Sequence, residues 1–150
     1  MRLAVIIAAA ILAGCAPAPL APEPSKIDVT QEPWYRNAAQ QLAAMNLQAQ
    51  KLLESGKADD AAAVITAGEP WENRLLSAPR PTLPAMEAVS DLDELYGRML
   101  LMNRNYGWAR MMFQKNLARW KSWQPQTDET ARRRKVAEQA MAECDRRMGE

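Results

Sequence analysis

The thiols of Cys15 and Cys144 are the best nucleophiles in this 150-residue chain, and no histidine is present to activate either. Without histidine the chain has neither the usual general base near neutral pH nor the commonest metal ligand. A Ser-His-Asp or Cys-His arrangement is therefore impossible within it. Carboxylates are numerous, but none stands in a recognisable catalytic pair. The sequence has no glycine-rich phosphate loop and no cluster with metal-ligand spacing, so no cofactor or metal is expected. Two groups of side chains suit binding better than catalysis. Trp108, Trp120 and Trp123 lie among Tyr106, Arg110, Lys115, Arg119 and Lys121, a mixture able to contact headgroups, glycans or a protein. Trp120 reads as core, and Trp123, at a helix end, as the better candidate for exposure. Arg132 to Lys135 form a basic run. Acidic residues surround it, so it reads as a solvated helix face.

The chemistry open to Cys15 depends on what precedes it. Arg2 supplies one positive charge, Leu3 to Leu12 are continuously apolar, and Ala13-Gly14 are small. A basic start, an apolar run of about ten residues and a small-residue exit form a secretory signal. The run is shorter than the roughly 20 apolar residues that span a bilayer. Leu12-Ala13-Gly14-Cys15 resembles the lipobox of bacterial lipoproteins. The resemblance implies removal of residues 1–14 and lipid attachment to the Cys15 sulfur. It also implies anchoring of the mature chain to a membrane of the cell envelope. Ala16 stands where an aspartate retains enterobacterial lipoproteins in the inner membrane, so the resemblance points to the outer membrane, facing the periplasm.

Residues 15–32 read as a lipidated tether. Pro17, Pro19, Pro22 and Pro24 fix φ and remove backbone donors, and at about 3 Å per residue such a stretch reaches some 50 Å. Without Arg2 the mature chain balances 18 basic against 18 acidic side chains. That balance gives no field for nucleic acid. With Cys15 lipidated, Cys144 has no partner for an intrachain disulfide. It lies on an apolar stripe, where a buried inert thiol is expected.

Residues 33–150 read as one all-α domain of about six helices, since no stretch alternates with period two. Pro33 to Ser55 is the first long helix, closed by a left-handed Gly56. Two short helices follow, Asp60 to Ala67, stopped by Gly68, and Pro70 to Ala78, ended by Pro79 and Pro81. Leu83 to Asn103 and Tyr106 to Trp123 form a pair around a turn at Asn105 or its neighbour. Thr127 and Thr130 open the last helix, which runs to Met148.

Small, alanine and bulky residues recur at matching intervals. Ala49, Ala61 and Ile65 are spaced by twelve and four residues, as are Gly97, Ala109 and Phe113. This pattern is similar to the tetratricopeptide repeat, in which the small residue and the alanine let two helices cross closely. The resemblance implies a solenoid of about two imperfect helix-turn-helix hairpins plus a C-terminal helix. The two alanines are 48 residues apart, against a repeat length of 34. In that family first-helix side chains line a groove for a partner segment. The positions so implied are Asn46, Gln50 and Glu54 in the first hairpin and Asp91, Glu94 and Arg98 in the second. The expected function is that of a non-enzymatic adaptor for a protein partner in the envelope. The alternative is an obligate accessory or structural subunit of an envelope complex such as a secretion or assembly machine.

Overall fold

The computed structural model describes residues 28–149; the leader, Cys15 and the tether up to Ile27 lie outside them. Among the described residues there are five α-helices and no strand, and the helices pack as a bundle or repeat does. A 3-10 turn, Val29–Gln31, precedes α1 (Pro33–Glu54), α2 (Ala58–Leu76), α3 (Leu83–Met102), α4 (Tyr106–Ser122) and α5 (Asp128–Met148). The turn is capped by the Asp28 carboxylate, which accepts from the Thr30 amide at 3.0 Å, and Val29 packs against the core. The chain is thus docked on the domain before Pro33.

Helix ends follow local chemistry. Gly56 closes α1 at φ +75°, and the tight turn before α4 uses Arg104 at φ +60°. Thr127 and Thr130 form a reciprocal capping box at the start of α5, satisfying donors that a helix N-terminus otherwise leaves orphaned.

The expected break between two short helices does not occur. α2 runs unbroken through Gly68 and Pro70. Proline in a helix interior removes one hydrogen bond and costs roughly 3 kcal/mol. Pro70 lies on the exposed side of the helix, as does Thr66, whose carbonyl loses its usual helical donor to the proline. The opposite side buries Ala61, Ile65, Gly68 and Leu75. Burying a leucine or isoleucine contributes about 1.5–3 kcal/mol, so two such residues outweigh the local penalty. Gly68 is part of this interface and not a stop signal: a Cβ there would lie 2.9 Å from Leu92 Cδ1 and 3.2 Å from Leu42 Cδ1.

α1 packs on α2 and α3, α2 on α3, α3 on α4, and α4 on α5. One core joins α1, α2 and α3 around Leu42, Ile65, Leu75 and Val89. The Tyr35 hydroxyl donates to the Leu75 carbonyl at 3.1 Å and ties the start of α1 to the end of α2. A second, smaller core holds Ala109, Phe113 and Cys144, with Leu100, Leu101, Ala140 and Met141 against it. Ala49, Ala61, Ile65, Ala109 and Phe113 are all buried, and Gly97 lies under the Phe113 ring. Both triplets therefore sit at helix crossings. Burial pushes the Cys144 thiol above its ordinary value, which lowers its thiolate content and its reactivity.

Candidate functional site

α1 and α3 run side by side in the same direction, because α2 carries the chain back between them. Asn46 on α1 donates from Nδ2 to the Ala88 carbonyl of α3 at 2.7 Å. That bond sets the register. It brings Gln50 opposite Glu94 and Arg98, and together with Asn46 and Asp91 these five residues wall one cavity of about 280 Å³. A wider cavity of about 610 Å³ adjoins it, walled by Tyr35, Arg36, Ala39, Glu87 and Arg133 among others. Ala43 and Asp91 belong to both walls, so the two are sections of one trench. From Arg36 to Gln50 at 1.5 Å per residue, the trench is about 20 Å long.

Five of the six sequence-predicted positions are thus gathered in one wall. Glu54 stands outside it and accepts from Gln50 Nε2 at 2.8 Å. Asn46 is not a solvated face residue: it is 5% exposed, and its Oδ1 has no hydrogen-bond partner among the described residues. Glu94 Oε1 pairs with Arg98 Nη2. Asp91 Oδ1 accepts from Arg133 Nη1 at 2.6 Å.

The basic run on α5 departs from its expected role as a solvated face at Arg133, while Arg132 and Lys135 are exposed. Arg133 bridges Asp91 and Glu129 and lies 5.3 Å from the Trp120 ring centroid. Burial is the largest single influence and opposes its charge, but the bond to Asp91, the charges of Asp91 and Glu87 and the bond to Glu129 together more than offset it, and its pKa is raised. Arg133 thereby fastens the start of α5 to the trench wall. Glu129 is held at about 2, below its ordinary 4.5, chiefly by hydrogen bonds from Arg132 and secondarily by Arg133. Its folded value lies below its unfolded one. The stabilisation it contributes is therefore complete above about pH 4.5 and is lost as pH falls toward about 2. Glu129 is 43% exposed, so solvent screens the effect to a modest size. The variant Glu129→Gln is expected to flatten the fall in urea midpoint between pH 4.5 and pH 2. An unchanged pH slope would remove this pair from the acid response.

A second polar cluster, which sequence reading missed, lies where α2, α3 and α4 meet. Asp93 is 1% exposed, and its carboxylate takes Lys115 Nζ at 2.9 Å and Arg119 Nη2 at 2.8 Å. Lys115 also reaches Glu72 at 2.8 Å. Burial works against the Lys115 charge, but Glu72 and then Asp93 more than offset it, raising its pKa. Asn116 Nδ2 donates to the Ser90 carbonyl at 2.9 Å, and Trp120 Nε1 donates to Ser90 Oγ at 2.8 Å. Every charge in this cluster is matched, which suits a clamp between helices. The one sequence signal was Lys115 and Arg119 spaced by one helical turn.

The aromatic group also divides differently from expectation. Trp120 is core, as read. Trp123 is half-buried and packs edge-on to Trp120 with centroids 6.1 Å apart. Trp108, at 66% exposed, is the tryptophan that faces solvent. Among the described residues no three His, Cys, Asp or Glu side chains are placed to hold a metal ion. No helix among them is long and apolar enough to cross a membrane. No protein-family model, curated protein or solved structure matches the chain.

Proposed function

We propose that this chain is a lipid-anchored, non-enzymatic adaptor of the bacterial envelope that docks a segment of a protein partner along the trench between α1 and α3. The trench carries the docking part of the reading. It is continuous, about 20 Å long by helix rise, and apolar at its wider end with charged side chains along its rim. Such a groove fits an extended or helical peptide. The Leu12-Ala13-Gly14-Cys15 motif carries the anchoring part, and Ala16 after it favours the outer membrane. Firm anchoring needs more than one acyl chain, as lipoprotein processing provides.

The finer fold reading belongs to the same proposal: two tetratricopeptide-like hairpins, α1-α2 and α3-α4, followed by α5. It is supported by the two buried triplets at the crossings and by the packing of α3 on both helices of the first hairpin. In such a stack the first helices of successive hairpins line the concave side, and here those helices would be α1 and α3, which carry Asn46, Gln50, Asp91, Glu94 and Arg98.

A second reading, an accessory subunit embedded in a larger envelope complex, draws on a different surface. Met102 and Trp108 flank the α3-α4 turn and are well exposed, as is Met111 one turn further along α4. The Arg110–Asp145 ion pair at 2.7 Å brings the exposed Met148 end of α5 to that same end of the molecule. Exposed apolar groups gathered at one end mark an interaction surface.

Affinity capture from solubilised envelope with the full-length chain separates the readings. The adaptor predicts one partner whose recovery falls at least about tenfold on Glu94→Lys with Arg98→Glu, the scale of losing one charged contact. Capture of an assembly that ignores those changes but is lost with Trp108→Ala and Met111→Ala would favour the subunit. Replacing Cys15 by serine should abolish acyl labelling and release the chain from membranes. Retained labelling would overturn the anchor.

A further inference from the structure

We propose that the narrow section of the trench is a receptor for the ammonium group of a lysine side chain carried by the partner segment. The inference rests on the docking reading and names the chemistry of what docks. Its centre is Asn46. The Nδ2 bond to the Ala88 carbonyl at 2.7 Å fixes which end of the amide is oxygen. Oδ1 is buried with no donor among the described residues, an arrangement that costs about 1–3 kcal/mol. The same wall holds two carboxylates, each with one oxygen to spare. Glu94 Oε1 accepts from Arg98, and Asp91 Oδ1 accepts from Arg133. Their second oxygens, Oε2 and Oδ2, have no donor among the described residues.

Three acceptors in one wall, two of them anionic, match a group with three donors and no acceptor. Ammonium is that group, whereas a hydroxyl could donate to only one of the three and a carboxylate would bring oxygen against oxygen. Bonds to a charged donor are also shorter and stronger than neutral ones. The apolar part of the wall, at Leu47 and Leu95, suits the methylene stem of a lysine. Arg98 is 54% exposed and held by Glu94 on its own helix, so its guanidinium can leave for solvent as the ammonium arrives. The wider section then takes the apolar residues of the same segment.

The test uses the full-length chain in detergent and a random peptide library selected on it. Selected peptides should carry a lysine, and replacing that lysine by norleucine should weaken binding about tenfold or more, the scale of losing one charged hydrogen bond. Glu94→Gln, at a partly exposed site outside the apolar core, should weaken lysine peptides by a similar factor and leave norleucine peptides unchanged. Nα-acetyl-lysine methylamide should shift the Asn46 side-chain amide resonances, and its norleucine counterpart should not. Peptides that bind without lysine, or with no response to Glu94→Gln, would overturn the lysine receptor while the docking trench stands. A lysine probe that shifts Asn46 when no peptide is recovered would support the receptor and overturn the docking trench. A silent probe with no peptide recovered would overturn both.

Discussion

Gly97→Val is expected to lower stability by about 3 kcal/mol or more, near the upper end for overpacked cores. A Cβ at position 97 would lie 2.7 Å from Phe113 Cε1 and 2.8 Å from Cζ. Those atoms belong to a rigid ring that is buried and walled in by the second core, so the ring has nowhere to go. Even alanine is unfavourable here. It gains about 1 kcal/mol of helix propensity and meets an overpacking cost of about 1–3 kcal/mol, a net loss. Gly68 is the internal control. Its close contacts are the tips of Leu92 and Leu42, both flexible side chains, which can yield by a few tenths of an ångström. Gly68→Ala should therefore be neutral or stabilising. Urea midpoints of the three variants test the contrast. A Gly97→Ala protein as stable as the parent would mean that α3 and α4 cross less closely than described. Phe113→Leu should rescue Gly97→Val in part, because it removes the clashing ring.

The second large effect is expected at Asp93. Asp93→Ala should cost about 3–5 kcal/mol, the usual penalty for removing one partner of a buried ion pair. Arg119, only 9% exposed, would then lose its carboxylate in the interior. Lys115, nearly half exposed and still bonded to Glu72, would lose less. The domain's whole stability is on the order of 5–15 kcal/mol, so this change alone brings it near unfolding. The cost lies mainly in the stranded cation. Asp93→Leu combined with Arg119→Met should therefore recover much of it, since apolar replacement of a whole buried pair is often neutral. A double-mutant cycle reads the coupling. If Asp93→Ala falls below about 1 kcal/mol, the value of an exposed pair, the cluster is not a clamp.

Both effects sit on α3, and α3 shows best what a sequence leaves open. Its apolar residues Met86, Val89, Leu92, Tyr96 and Met99 were legible as one face. Yet Ser90, Asp93 and Gly97 are buried too, because α1, α2 and α4 pack around the helix on different sides. Periodicity reports a single face. It has no signal for a helix with neighbours on several, where polar residues are buried once the neighbours supply donors and acceptors. Ser90 and Asp93 receive theirs from Asn116, Trp120, Lys115 and Arg119 of α4, more than twenty residues away along the chain. Asn46 is the same case on α1, its amide paired across to Ala88.

The trench was half legible. The resemblance to the tetratricopeptide repeat implied Asn46, Gln50 and Glu54 on one first helix and Asp91, Glu94 and Arg98 on the other, facing one groove, and all but Glu54 line the trench. Arg133 was not legible as a member of the wall. It reaches Asp91 from α5 across 42 residues, and nothing in a run of four basic residues says which one turns inward.

By itself the sequence determined the elements whose causes are local. The all-helical class, the ends at Pro33, Gly56 and Thr127, and the small residues at the two crossings follow from φ preferences, caps and periodicity within a few turns. Tertiary structure decided the rest. It carried α2 through Gly68 and Pro70, because packing on α1 and α3 is worth more than a single lost backbone bond. It placed Trp123 against Trp120 and left Trp108 in solvent, because α3 and α5 cover only the Ala109–Phe113–Trp120 side of α4. The physical reason is one of range. Caps and turns act over a few residues, whereas burial depends on which helices arrive from elsewhere in the chain.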